Sequence, residues 1–308
     1  MMNNIKLKLV FFALAFTGFI YGQINTVDST VQTIGYWSKN ETQSYVITID
    51  KYKLNKSDTT SHDRYKFNVD IVVKDSTADS YTLEWKYKNY EIESENEILK
   101  KIMSMSEDMT VLVKTDEFGA FEEVVNWKEL SAYMKNITTK LRKEYKDAPT
   151  LVKLIKQVEN TYDNKAAIES NTINEIQQFF SFHGGKYALG EVYEGNTKTP
   201  NMYGTEPFDT EFTMSLDTIQ FEDNNYILRY NHSINQEQLE EATYTYLKTV
   251  MKTMGLPEIQ RKDIKDIANQ TDLASRIHGS GWVIYSIQTK TVSADNSTNI
   301  EETIIEII

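Results

Sequence analysis

The segment RYKFNVDIVVK, residues 64–74, alternates apolar and polar side chains with a period of two. Such a period is typical of a β-strand with one face in a core and the other in water. The segment YTLEWKYK, residues 81–88, repeats the pattern after the turn-rich connector DSTADS. Together the two segments predict an antiparallel hairpin, and their one-sided alternation argues against a parallel sheet buried on both faces.

Helical patterns follow these strands. Asn126, with Glu129 three residues later, predicts a capped helix start. Pro149 suits the first turn of a second helix, and a further helix is predicted to run to about Phe182.

The C-terminal part of the chain contains the clearest helical pattern. It is predicted to begin after the capping residue Asn235 and to end at Gly255, which Pro257 follows. Two strands, GWVIYSIQTKTV and NIEETIIEII, then close the chain around the connector SADNST. This connector and the residues after it lack the central glycine of an EF-hand loop and predict a hairpin turn, although a looser calcium site stays open.

These patterns predict an α+β fold: a large curved antiparallel β-sheet, open-barrel-like, with several helices packed on one face. No linker rich in Pro, Gly or Ser divides the chain, so residues 23–308 are expected to form a single domain. An organisation of that domain as two similar halves, about 31–125 and 186–308, around a helical segment at 126–183 is left open by the sequence.

The first residues, MMNNIKLKLVFFALAFTGFIYGQ, have the layout of a secretory signal peptide at residues 1–22. The apolar run is shorter than a membrane-spanning helix needs, and no transmembrane segment is expected after signal removal. We therefore expect an exported protein of the periplasm or the extracellular space. Cleavage removes Lys6 and Lys8, so the net charge changes from −12 to −14. This acidic balance argues against nucleic acid as a partner, and the absence of cysteine excludes disulfides and thiol chemistry.

Motifs for catalysis are not recognisable in the sequence. No H-E-x-x-H zinc motif, G-x-S-x-G elbow or phosphate-binding glycine loop occurs, so no catalytic residue, metal ligand or cofactor is predicted. His183, in FHGG, is the histidine most suggestive of a site. Gly184 or Gly185 beside it can end a helix, so a structural role for His183 is favoured over a catalytic one.

The first predicted hairpin is rich in aromatic residues. Five of them are predicted to share one face, namely Tyr65, Phe67, Tyr81, Trp85 and Tyr87. One interpretation is an ordinary core beneath the helices. The other is an apolar cavity between sheet and helices that holds a lipid or another hydrophobic small molecule, with these five residues in contact with it.

The segments DEFGAFEEVVNWKEL, residues 116–130, and FHGGKYALGEVYEGNTKTPNMYG, residues 182–204, carry a resemblance. The chain resembles a family of uncharacterised exported proteins of Gram-negative bacteria, which bear signal peptides. The implied architecture is similar to that of periplasmic lipoprotein carriers, whose unclosed antiparallel barrel is covered by helices. The long helical segment at 126–183 departs from the carriers' simpler pattern, and no functional residue of those carriers is matched here.

The resulting functional hypothesis is a non-enzymatic exported protein that binds a hydrophobic ligand or lipid between the sheet and the helices. The alternative is a cell-envelope or secreted interaction protein with a solid core. Its contacts with an envelope protein would lie on loops such as 195–208, since GNTKTPNMYGTEPF is predicted to be a long loop. A hydrolase with a carboxylate pair is a more distant third hypothesis.

Overall fold

The computed structural model describes residues 23–105, 107, 109–201 and 206–308. The predicted signal peptide at residues 1–22 lies outside the described residues. The first half contains the strands β1 (Ile24–Asn25), β2 (Thr30–Gln32), β3 (Thr42–Asn55), β4 (Asp58–Ser76), β5 (Ser80–Glu93), β6 (Thr110–Asp116) and β7 (Phe121–Val124). The second half contains β8 (Lys186–Ala188), β9 (Val192–Thr199), β10 (Phe208–Gln220), β11 (Asn225–Ile234), β12 (Ala268–His278), β13 (Val283–Ala294) and β14 (Ser297–Ile307).

Six α-helices occur within the described ranges, and four of them lie in the central segment. The helices are α1 (Glu97–Met105), α2 (Trp127–Glu144), α3 (Pro149–Asn160), α4 (Lys165–Asn171), α5 (Asn174–Phe180) and α6 (Gln236–Met254). The predicted helix signals at Pro149, Asn235 and Gly255 are confirmed. Pro149 is the first residue of α3, the Asn235 side chain accepts the Gln238 N–H, and Gly255 ends α6 with φ of 67°.

Eleven strands form one antiparallel sheet, in the spatial order β7-β6-β5-β4-β3-β14-β13-β12-β11-β10-β9. Each half of the chain contributes a meander of sequential neighbours. The two meanders join where the C-terminal strand β14 pairs with β3, with Ile305 opposite Ile47. The sheet is not closed, because its edge strands β7 and β9 have no pairing with each other in the part of the chain that the structure describes. A mixed fold with a large antiparallel sheet is therefore confirmed.

A smaller sheet, β1-β2-β8, packs beside the large one. Tyr226 of β11 links the two sheets, since its hydroxyl donates to Gln23 Oε1 at 2.8 Å and is hydrogen-bonded to the Thr33 hydroxyl at 3.0 Å. Buried hydroxyls of this kind are stable only when paired. These contacts hold the start of the described chain against the second meander.

The helices lie on one face of the large sheet, which we call the inner face. The predicted alternation of residues 64–74 is confirmed, because Phe67, Val69 and Ile71 are buried on this face. Phe179 of α5 packs edge-to-face on Tyr45 of β3 and on Trp85 of β5, with ring centroids 5.6 and 5.3 Å apart. A second cluster joins α1, α2 and α3, and a third attaches α6 to β10 and β11 through Phe208, Ile234 and Leu239.

Two predicted loop assignments are wrong. His62 belongs to the polar segment SDTTSHDR, residues 57–64, whose composition predicts a loop, but it lies in β4, where its Nε2 contacts Asp50 Oδ1 at 2.6 Å. Arg64 also binds this carboxylate, through two nitrogens. Residues 195–199, expected to belong to a long loop, form most of the edge strand β9. Both segments are polar, so their composition alone predicts loops. They form strands because their backbones hydrogen-bond to neighbouring strands, which local composition does not indicate.

Strand β12 and two boundaries were not predicted. The inward residues of β12 include the small polar Thr271 and Ser275 beside Leu273, which weakens the apolar period. The stretch KYALGEVYE is divided between two sheets at Gly190, whose φ is 85°. The helix expected to run to about Phe182 is divided into α4 and α5.

Asn126 precedes α2 as predicted, but its side chain does not cap the helix. Its amide instead bridges to β6, where Oδ1 accepts the Leu112 N–H at 2.8 Å and Nδ2 donates to the Thr110 carbonyl at 2.9 Å. Asn126 therefore fixes the start of α2 against the sheet. The sequence pattern fits a helix cap and this contact with a neighbouring strand equally well.

Candidate functional site

A cavity of about 290 Å³ lies between the inner face of β3–β5 and the helices α1–α5. Its lining is mostly apolar and aromatic. The lining residues from the sheet and the segment before β6 are Ile49, Lys51, Tyr65, Phe67, Tyr87, Tyr90 and Met109. Those from the helices and the turns after them are Ile102, Met103, Met134, Val158, Thr161, Tyr162, Asn171, Thr172 and Glu175.

A local irregularity in β5 brings two tyrosines to the same face. Tyr87 and Tyr90 are three residues apart, so a regular strand would place them on opposite faces. Asn89, between them, has φ of 56°, and the pairing of β4 with β5 shifts register there, opposite Phe67. This bulge turns Tyr90 inward, where the Phe67 ring lies 5.6 Å from the Tyr87 ring and 5.1 Å from the Tyr90 ring.

The apolar part of the helical wall of the cavity comes from three helices that lie apart in sequence. Met103 of α1, Met134 of α2 and Val158 of α3 meet there, and Tyr162 follows α3. Methionine side chains are unbranched and flexible, so they adapt to ligands of different shapes. Sequence reasoning missed this wall because helical spacing does not show which faces of different helices meet.

Glu175 places a carboxyl group in this largely apolar lining. It lies in the first turn of α5, is only 8% exposed, and accepts a hydrogen bond of 2.6 Å from the Tyr87 hydroxyl. Burial raises the pKa of Glu175, although the Tyr87 hydrogen bond opposes this change. Burial, together with the Glu175 charge, also raises the pKa of Tyr162 to about 12. The cavity thus combines apolar walls with one acid that burial makes harder to ionise.

Polar residues mark the rim of the cavity. Lys51 and Asn171 are both exposed lining residues, and Lys51 Nζ pairs with Glu301 at 2.8 Å. An apolar interior with a polar rim is suited to an amphipathic molecule, because the polar end of such a molecule can stay in water.

The structure separates the five aromatic residues that were predicted to contact a ligand. Tyr65, Phe67 and Tyr87 line the cavity. Trp85 is completely buried beneath Phe179, and Tyr81 packs on Trp37 while its hydroxyl donates to the Gly35 carbonyl at 2.6 Å. All five share the inner face, but α5 covers the part of it around Trp85.

His183 lies outside the cavity, in the turn after α5. Its Nε2 is 2.8 Å from the Gly281 carbonyl oxygen, and its ring stacks against Phe179. This carbonyl belongs to the β12–β13 turn, so His183 connects the end of α5 to the second meander. Burial lowers the pKa of His183 to about 4, although the Gly281 hydrogen bond and the nearby Asp116 oppose this.

His183 predicts a pH dependence of stability. From its ordinary pKa of 6.5 down to about 4, the unfolded chain binds a proton that the folded protein does not. Stability therefore falls as the pH decreases through this window, by about 3 kcal/mol in total. In denaturant titrations from pH 7 to pH 4, the wild type should lose that much more unfolding free energy than the His183→Gln variant. Parallel curves for the two proteins would contradict the assignment.

Metal-binding clusters and membrane-spanning helices are absent from the described ranges. No group of three or more His, Asp or Glu side chains there is arranged as metal ligands. Among the described helices, none is long and apolar enough to cross a membrane. The segment around residues 295–306 forms the β13–β14 hairpin, as predicted.

Comparisons with known proteins include a structural resemblance. No family model matches the chain, and no curated protein matches it. One similar solved structure bears the description "Lipid-protein interactions in lipovitellin", with a TM-score of 0.36 and 9% sequence identity. The match covers 88% of this chain and 25% of that one, so the chain spans about a quarter of that protein's length.

Proposed function

We propose that this chain is an exported, non-enzymatic protein that binds a hydrophobic or amphipathic small molecule, such as part of a lipid, in the cavity. The observation that carries the proposal is the lined space of about 290 Å³ between sheet and helices. Native interiors are close-packed, so a space of this size bounded by flexible and aromatic side chains favours an occupant.

The volume restricts the class of ligand. A cavity of about 150 Å³ lined by apolar side chains accommodates benzene. The present cavity has about twice that volume, which suits one compact ring system or the end of a single acyl chain. A complete lipid with several acyl chains exceeds it. In this proposal the inner face of the sheet curves around the ligand as an open barrel, and α1–α5 cover it.

Glu175 and Tyr87 define the polar specificity of the proposed site. The Glu175 carboxyl group accepts a hydrogen bond of 2.6 Å from the Tyr87 hydroxyl, and both groups border the apolar space. A ligand with a hydroxyl or carbonyl group near its apolar body would join this pair. A ligand with a buried negative charge would be disfavoured by the carboxyl group.

Two measurements test the proposal. Native mass spectrometry of residues 23–308, purified from the native envelope without detergent, should show a bound mass that leaves on denaturation. Titration with the apolar fluorophore N-phenyl-1-naphthylamine should show a saturable fluorescence increase. The absence of both a bound mass and saturable probe binding would refute the proposal.

A cavity-blocking variant localises this binding. Val158 lines the cavity, so Val158→Trp should fill part of it and weaken binding of the fluorophore by at least about tenfold, or about 1.4 kcal/mol. Gln157→Trp introduces the same side chain at the exposed neighbouring position and should leave the affinity unchanged. Equal affinities for the two variants would place the probe elsewhere on the protein.

The unpaired edge of strand β9 supports a second candidate function, in which the chain binds a protein partner. Its outer edge has no strand partner among the described residues, and Leu189 and Val192 near its start are 45% and 61% exposed. A partner from the cell envelope could pair with this edge as an added strand. A photo-crosslinker at Val192 would test this in native envelopes, and the absence of any crosslinked protein would count against it.

A further inference from the structure

A second, polar pocket of about 220 Å³ lies on the inner face of the sheet, beside α5 and over β11–β13. It is distinct from the apolar cavity, which lies over β3–β5. Its lining residues are Asn174, Gln177, Gln178, Ser181, Tyr230, His232, Thr271, Leu273, Gln288 and Lys290. This composition differs from that of a core, since hydrogen-bonding side chains predominate.

Gln178 brings an unsatisfied acceptor to this pocket. Its side-chain nitrogen donates to Ser286 Oγ at 2.9 Å and to the Thr303 carbonyl at 3.1 Å, which fixes the orientation of the amide. The residue is 1% exposed, and its Oε1 has no hydrogen-bond partner among the described residues. A buried amide oxygen without a donor is costly, so this position is suited to a ligand hydroxyl.

Two further groups border the same space. Nδ1 of His232 is buried and has no hydrogen-bond partner in the described part of the chain. Lys290 is half-buried on β13 and forms no salt bridge with any described residue. The ammonium group offers three donors, and the imidazole nitrogen accepts or donates according to its tautomer.

We propose that this pocket binds a small hydroxylated carboxylate, such as a sugar acid. Lys290 would pair with the carboxylate, Gln178 Oε1 would accept from a hydroxyl, and His232 Nδ1 would bond to a neighbouring oxygen. Tyr230 and Leu273 line the pocket beside these groups and offer surface for the carbon skeleton.

Charge and size narrow the ligand to this class. The single ammonium group of Lys290 matches one carboxylate, whereas a phosphate dianion generally requires more positive charge and more donors. A volume of about 220 Å³ exceeds the roughly 150 Å³ that accommodates benzene, so it suits one substituted six-membered ring. Such a ring can be a free sugar acid or a residue of an acidic polysaccharide.

The test is an NMR titration of residues 23–308 with D-glucuronate, D-glucose and acetate. D-glucuronate combines the carboxylate with the hydroxyls, so it should bind at least about tenfold more tightly than either control. D-glucuronate should also shift the His232 ring resonances. A histidine that does not contact the ligand would show no such shift.

Lys290→Gln provides the matched variant, because Lys290 has no ion pair to lose among the described residues. It should reduce the affinity for D-glucuronate to that for D-glucose, whereas Lys262→Gln, the same charge change at an exposed residue, should not. Absence of D-glucuronate binding, or equal binding by the wild type and Lys290→Gln, would overturn the proposal. Tighter binding of trigalacturonate than of D-galacturonate would indicate a polysaccharide source, and equal binding would indicate free sugar acids.

The pocket and the apolar cavity are tested with different ligands and different variants. Failure of fluorophore binding would leave the D-glucuronate result unaffected, and the reverse also holds. The two proposals are therefore distinguishable.

Discussion

Replacing Trp85 with alanine is expected to lower the free energy of unfolding by about 3–5 kcal/mol, because the side chain is completely buried. Its ring packs edge-to-face on Phe179, with centroids 5.3 Å apart, so the variant removes a contact between sheet and helix as well as apolar area. Chemical denaturation followed by circular dichroism measures the change.

Two variants make this prediction specific. Trp85→Phe should cost much less, because it retains a ring and removes an indole N–H that is buried without a partner among the described residues. Phe221→Ala, at a residue that is 48% exposed, should stay within about 1 kcal/mol of the wild type. Because Trp85 does not line the cavity, Trp85→Phe should bind the fluorophore like the wild type. A large loss of affinity in this variant would instead support the ligand contact first suggested for Trp85.

Replacing Gly281 with alanine is expected to destabilise the protein by about 3 kcal/mol or more. Gly281 has φ of 85°, which disfavours any side chain. A Cβ at this position would also lie 2.3 Å from the Ile34 carbonyl oxygen and 2.9 Å from Gly35 Cα. Both are backbone atoms, so relief requires the β12–β13 turn to move away from the segment before β3.

Gly190 provides a matched control for the steric part of this effect. It has the same φ of 85°, but a Cβ there would meet no atom within 4 Å. Gly190→Ala should therefore show the cost of the left-handed conformation alone, about 1–2 kcal/mol. Thermal and denaturant unfolding of both variants gives the comparison. Equal destabilisation would mean that the close approach of Gly281 to Ile34 does not contribute.

The part of the fold that sequence could predict is the part with a clear local period. Residues 64–74 place Phe67, Val69 and Ile71 on one face because alternation in a strand follows from backbone geometry alone. The start of α3 at Pro149 and the end of α6 at Gly255 were equally predictable, since both depend on local backbone preferences.

The candidate site was predictable only in part. Tyr65, Phe67 and Tyr87 follow from strand parity, and they line the cavity. Tyr90 does not follow, because the bulge at Asn89 reverses the parity after Tyr87. Asparagine is among the residues that tolerate positive φ, so its presence in a strand was the available signal.

The burial of Glu175 was also not predictable from local sequence. A glutamate in the first turn of a short helix is ordinarily a solvated residue. It is buried here because α5 lies across the inner face, which places its carboxyl against the Tyr87 hydroxyl from a strand 88 residues earlier in the chain. The change in its pKa is therefore a property of the packing.

By itself, the sequence determined the strand faces, the helix ends marked by Pro149, Asn235 and Gly255, and the one-sided burial of the sheet, because these depend on side-chain period and local backbone preference. Only the tertiary structure decided that β14 pairs with β3, that α5 covers Trp85 while leaving a cavity beside Phe67, and that Gln178, His232 and Lys290 line one pocket. These features join residues far apart in the chain. They depend on which apolar surfaces from distant segments are buried against each other. No short stretch of sequence contains that information.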